Sequence, residues 1–147
     1  MNNRRVVVKF GGSDLSSGER IRKAAEMILK AGFREVVAVV SAMGETTNNL
    51  IGIISQIGEI IDQDYADILS MGERTSARIF CAALKALGAD AVYIEPGHEE
   101  WPIITDSNFR DAKPDMEETR KLVEKYLEPL LSSGKTVVVC GFLGKDK

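Results

Sequence analysis

The residues best suited to chemistry in this chain gather at the ends of valine runs. Val6-Val7-Val8 leads into Lys9-Phe10-Gly11-Gly12-Ser13. Two successive glycines remove the side chains that would keep an anion away from backbone N–H groups, and the lysine beside them supplies a cation. That combination suits a phosphate or a carboxylate. Small hydroxyls and glycines recur at Ser41 to Gly44 with Thr46-Thr47, and again at Gly141 to Gly144, each after a further valine run. Taken singly, these are accounted for by turns and a helix cap. Taken together they point to a site, because the ligand crevice of an open parallel sheet lies at the carboxyl ends of its strands. The dinucleotide fingerprint is absent, and so is the phosphate loop whose lysine follows its glycines; here the lysine precedes them. His98, among Gly97, Glu99 and Glu100, reads as a solvated histidine and not as a base. Cys81 and Cys140 lack metal-ligand spacing and read as small buried hydrophobes kept reduced, so no metal site is assigned.

These turns need strands and helices to bring them together. The apolar runs predict strands at Arg5 to Phe10, Glu35 to Val40, Ala91 to Ile94 and Thr136 to Cys140, with the first covered on both faces. Ser16 and Glu19 have the spacing of a capping box for a helix ending at Gly32, as do Asp115 and Glu118 for one reaching about Leu131, kinked or shortened by Pro129. The isoleucine-rich stretch from Leu50 to Ile61 is long enough for a helix despite its β-branching. Asp64 to Leu87 is helical in pattern, offering Ile79, Phe80 and Leu84 to the core. Its internal Gly72 signals a bend, a helix break or a close approach by a ligand or neighbouring backbone. Trp101 to Lys113 has little periodicity beyond a short strand at Pro102 to Thr105 and reads as an excursion from the sheet. The expected fold is a three-layer αβα sandwich around a mainly parallel sheet, in one unit spanning residues 1–147.

Composition narrows the function. The 147 residues are 44% hydrophobic and 28% charged, compatible with one folded domain. A net charge of −3 without basic runs argues against nucleic acid or an anionic membrane as partner. No apolar stretch approaches the roughly 20 residues of a membrane span, and the N-terminus lacks the apolar core of a signal peptide, so a cytoplasmic location is expected.

Five segments in order resemble the amino acid kinase family, and within it the first half of an aspartokinase catalytic domain. They are Val7 to Ser13, Val40 to Thr47, Met71 to Ala77, Ile104 to Asp106 and Gly141 to Gly144. The resemblance implies phosphoryl transfer from ATP with Mg2+ to the side-chain carboxylate of L-aspartate, an entry step to lysine, threonine and methionine biosynthesis, in a homo-oligomeric enzyme. It implies that Lys9 is catalytic, that Gly11, Gly12 and Ser13 bind phosphate, that Ser41 and Thr47 hold the substrate, and that Glu73 accepts hydrogen bonds from its ammonium group. A carboxylate with a pKa of about 4 is already ionised, so the nucleophile needs no general base. Arg74 and Arg78 are left as surface ion-pair partners.

The sequence departs from the family pattern in two respects. Asp14 stands where a second small hydroxyl is usual, and a carboxylate there is unhelpful to a phosphate unless it points away. The nucleotide-binding half, with its Gly-Arg-Gly-Gly-Ser-Asp segment, and the regulatory domains lie outside these residues. The chain is therefore expected to be the substrate-side part of a kinase domain, inactive by itself. The alternative is a non-catalytic amino-acid-binding or dimerisation module built on the same fold.

Overall fold

Runs of β-branched residues, each followed by a glycine- or hydroxyl-bearing turn, build the central sheet of the computed structural model, which describes residues 2–147. Its strands are β1 (Asn2–Phe10), β2 (Phe33–Val40), β3 (Ala91–Ile94) and, after a short β4 (Ile104–Thr105), β5 (Thr136–Cys140). They lie in the order β1-β2-β5-β3, and every pair is parallel. A final β6 (Lys145–Asp146) pairs with β4 in a separate two-stranded sheet.

Parallel strands require crossovers, and the helices supply them on two faces. α1 (Gly18–Ala31) joins β1 to β2, and α2 (Thr46–Ile57) with α3 (Asp62–Ala86) leads out to β3. The chain returns to β5 through α4 (Met116–Leu122), a π-helical turn (Val123–Leu127) and α5 (Glu128–Ser132). Phe10 meets Phe80 of α3 at 5.2 Å between ring centroids, whereas Arg5, of opposite parity on β1, pairs with Glu128 of α5 at 3.0 Å. The two helix layers therefore cover opposite faces, giving the three-layer αβα sandwich with a parallel sheet. The outward path uses one face and the return the other, as crossovers of one hand demand.

Several local expectations change. Val7 is 69% exposed. β1 is an edge strand of the sheet and α5 packs on β2 and β5, with Arg5 reaching from β1 to Glu128, so the first strand is not covered on both faces. The cap of α1 is Ser17, whose Oγ accepts from the Arg20 N–H at 3.2 Å, while the Ser16 hydroxyl donates to the Ser13 carbonyl. α2 ends at Ile57 and buries only Ile54, leaving Ile53 and Ile57 exposed; Ile79 of α3 also faces outward. Pro129 has no N–H to give and its ring crowds the preceding turn. The helix answers by widening: the Glu128 N–H reaches the carbonyl of Val123, five residues back.

Gly72 does not break α3, which runs unbroken for 25 residues. It allows close approach: a Cβ there would lie 2.8 Å from the Cβ of Ala42 in the turn after β2. Gly72→Ala gains about 1 kcal/mol in helix propensity and loses about 1–3 kcal/mol to overpacking. Thermal melts should therefore show a lower Tm for Gly72→Ala, with most of the loss recovered by adding Ala42→Gly. A Gly72→Ala chain that melts higher than its parent would contradict the close contact.

Candidate functional site

The carboxyl ends of β2, β5 and β3 open onto a cavity of about 820 Å³. The ladder continues one residue past the strands, with Ser41 N–H donating to Phe10 O at 3.2 Å and Gly141 N–H to Val40 O at 2.8 Å. Gly44 N–H donates to Gly12 O at 2.9 Å, so the first two turns are tied to each other. A Cβ at Gly12 would lie 3.0 Å from the Ala42 carbonyl, which explains why that turn is bare. On the far side, Arg110 stacks on Tyr65 at 4.3 Å and pairs with Asp62, fastening the loop after β4 to the start of α3. Asp106 shapes that loop by accepting from the N–H groups of Asn108 and Lys113.

Gly12, Ser41, Thr47 and Glu73 line the cavity together. Lys9, Gly11 and Ser13 stand outside its lining, on the exposed rim where β1 ends. The Gly11 N–H donates to the Asp14 carboxylate at 3.1 Å, so Asp14 does not point away from the turn. The N–H groups of Gly12 and Ser13 have no partner among the described residues. Lys9 reaches toward the cavity through Phe142, its Nζ lying 4.4 Å from the ring centroid.

Two buried carboxylates flank the cavity and differ in kind. Glu73 on α3 is 7% exposed and accepts a long hydrogen bond, 3.4 Å, from the Ala42 N–H. Burial pushes its carboxyl above the ordinary range, with backbone hydrogen bonds offsetting only part of the effect. No lysine or arginine pairs with it among the described residues. Glu95, just after β3, is also 7% exposed, but Arg78 grips it with two hydrogen bonds of 2.6 Å. Burial works against its charge, yet the Arg78 pair, with Arg74 and His98 behind it, holds the carboxyl below its usual value.

Arg74 and Arg78 are therefore more than surface partners. Arg74 lines the cavity and donates to the Pro96 carbonyl at 2.7 Å and to Ser70 Oγ at 2.9 Å. His98 keeps an exposed ring 3.7 Å from Glu95. Burial, then the nearby acids, pushes the Cys140 thiol up to about 12, and Cys81 is likewise a free buried thiol. Glu95 carried no sequence motif of its own, and Phe142, although within the Gly141 to Gly144 turn, was not among the expected site residues. The four-residue spacing of Arg74 and Arg78, which puts both on one face of α3, was the available signal for a buried acid opposite them.

A parallel sheet wound in two directions, with a cavity at the carboxyl ends of its strands, defines an open-sheet α/β protein. The chain belongs to the amino acid kinase family, whose profile matches residues 4–147. It is 35% identical over 146 residues to the aspartokinase of Corynebacterium efficiens, covering 97% of this chain and 33% of that protein. Aspartate kinase from Synechocystis superposes with a TM-score of 0.75 at 30% identity, over 96% of this chain and 22% of that one. Escherichia coli aspartokinase III in complex with aspartate and ADP shares the fold, with a TM-score of 0.85 at 20% identity, over 98% of this chain and 42% of that one. The chain thus spans about a third of the length of the aspartokinase it matches in sequence.

The state of Glu73 has a measurable signature. Its folded pKa lies above the unfolded value, so ionised Glu73 subtracts stability at higher pH and nothing where it is protonated in both states. Glu73→Gln should melt higher than the parent near neutral pH, with the gap closing below about pH 4. A gap that stays constant across that range, or reverses sign, would show that Glu73 is not an unpaired buried charge.

Proposed function

We propose that this chain is the aspartate-binding side of an aspartate kinase, the N-terminal part of a domain whose nucleotide-binding half lies outside these residues. One observation carries the reading: Glu73 is a buried acid on the wall of a cavity, with no cationic side chain to balance it. The adjacent Arg74 is spent on Pro96 and Ser70. A ligand ammonium group would supply the missing charge and restore the carboxylate to an ordinary pKa. Ser41 and Thr47, on the same lining, then hold the rest of the amino acid.

In the reaction, an oxygen of the aspartate side-chain carboxylate forms a bond to the γ-phosphorus of ATP, and the bond to the bridging oxygen breaks to release ADP. No proton moves, which suits a site without a base. The barrier lies in bringing two anions together, and Lys9 with the N–H groups of the Gly11 to Ser13 turn lowers it. Magnesium, when bound, neutralises phosphate charge. Among the described residues no group of three His, Cys, Asp or Glu side chains is arranged to hold a metal, and no step is assigned to the ion through this chain. Among the described residues no helix is long and apolar enough to cross a membrane.

Calorimetric titration with L-aspartate tests the binding claim on this chain directly. Loss of a charge-assisted hydrogen bond is worth about 1.5–3 kcal/mol, so Glu73→Ala should weaken aspartate binding by about 10- to 100-fold. In a polypeptide carrying the whole kinase domain, Lys9→Ala should reduce kcat far more than it raises the KM for aspartate. The 147-residue chain with aspartate and Mg-ATP should show no turnover in a coupled assay. Near-normal turnover in the Lys9→Ala domain would remove Lys9 from the mechanism, whereas aspartate binding without any turnover in the whole, unmutated kinase domain would favour the non-catalytic binding module.

A further inference from the structure

We propose that Phe142 is a positioning residue for Lys9, with its ring serving as the seat for the ammonium group at the rim of the cavity. The inference rests on the kinase reading only for what Lys9 does once seated. Phe142 carries two costs that packing does not offset. Its φ of 59° is in the left-handed region, where a bulky side chain is strained, and it is the only such non-glycine residue among those described. The residue is 77% exposed, the most of any large hydrophobic residue among those described.

The loop that imposes this geometry is tightly held. Beside Phe142, a Cβ at Gly141 would stand 2.9 Å from the Val40 carbonyl, and one at Gly144 would collide with Thr105. The backbone between them has little freedom to relax, and the ring is delivered onto the cavity lining. There Lys9 Nζ lies 4.4 Å from the ring centroid, within the range of a cation–π contact. Lys9 has no carboxylate partner among the described residues. A lysine on an exposed strand end otherwise samples many rotamers. A carboxylate would fix it at the expense of its field, because the two charges would cancel toward an incoming anion. An aromatic face fixes the ammonium while leaving its charge undiminished. This accounts for a strained, solvent-facing phenylalanine at a position where glycine would cost nothing.

The test separates placement from catalysis. In the isotopically labelled 147-residue chain, ring current should move the Lys9 ε-methylene resonances upfield of those of other lysines. Phe142→Leu should abolish the displacement and Phe142→Tyr retain it. Phe142→Gly should melt no lower than the parent, since it relieves the strain and removes exposed apolar surface. In the whole kinase domain, Phe142→Leu should lower kcat by about two- to fivefold with the aspartate KM nearly unchanged, and Phe142→Tyr should restore it. Lys9 resonances unaltered by Phe142→Leu, or a Phe142→Gly chain that melts well below the parent, would overturn the proposal. If the resonances respond as expected while Lys9→Ala leaves turnover intact, placement stands and the kinase role of Lys9 falls.

Discussion

The site depends on one close contact, that between Gly72 of α3 and Ala42 in the turn after β2. At this separation no side chain fits at position 72, and the helix can lie directly on the turn. Everything that α3 presents follows from that approach. Glu73 is brought beneath the Ala42 N–H, Arg74 toward Pro96, Arg78 toward Glu95, and Phe80 against Phe10. A long helix is a rigid ruler, so one contact near its middle fixes the depth of every group along it. The cavity is thus defined by backbone packing before any polar interaction is considered.

Around that frame the charges are divided unevenly. The two buried acids shift in opposite directions because both arginines of α3 attend to Glu95 and neither to Glu73. Glu95 with Arg78 is self-sufficient: removing one partner would strand a buried charge, so the pair works as structure. Glu73 is the reverse case, a desolvated carboxylate whose cost persists until something cationic arrives. On the proposed reading, that cost is relieved when the ammonium group of the ligand enters the cavity.

Much of the fold was legible because parallel strands buried between helices need unbroken β-branched runs, and Val36 to Val40 and Val137 to Val139 admit few other readings. The caps at Gly32 and Asp115 were legible for similarly local reasons. The misses share a cause in tertiary context. Val7 has the same neighbours in sequence as a buried valine, and only the strand order makes it an edge residue. The isoleucines of α2 have helical spacing, but nothing local says how little of that helix meets the core. At the site, the turn residues could be named from motifs. Glu95 could not, and Phe142 was legible only as part of the Gly141 to Gly144 turn, since burial beside two arginines and a left-handed backbone angle are properties of the assembled loops.

The groups of the proposed chemistry are split in depth. Ser41, Thr47 and Glu73 lie on the cavity lining with Gly12, while Lys9, Gly11 and Ser13 stand outside it, Lys9 against the ring of Phe142. Asp14 bears on the second half, because its carboxylate already occupies the Gly11 N–H. One exposed hydrogen bond to a charged group is worth about 1.5–3 kcal/mol at most. An arriving phosphoryl group would meet the two unpartnered amides of Gly12 and Ser13, together with the lysine, each able to form a charge-assisted contact. Those contacts outweigh the single bond that Asp14 would surrender. The carboxylate can therefore hold the turn in shape while no anion is bound and yield when one arrives. An aspartate there is compatible with a phosphate site provided the remaining amides and Lys9 stay free of other partners, and that condition is met among the described residues.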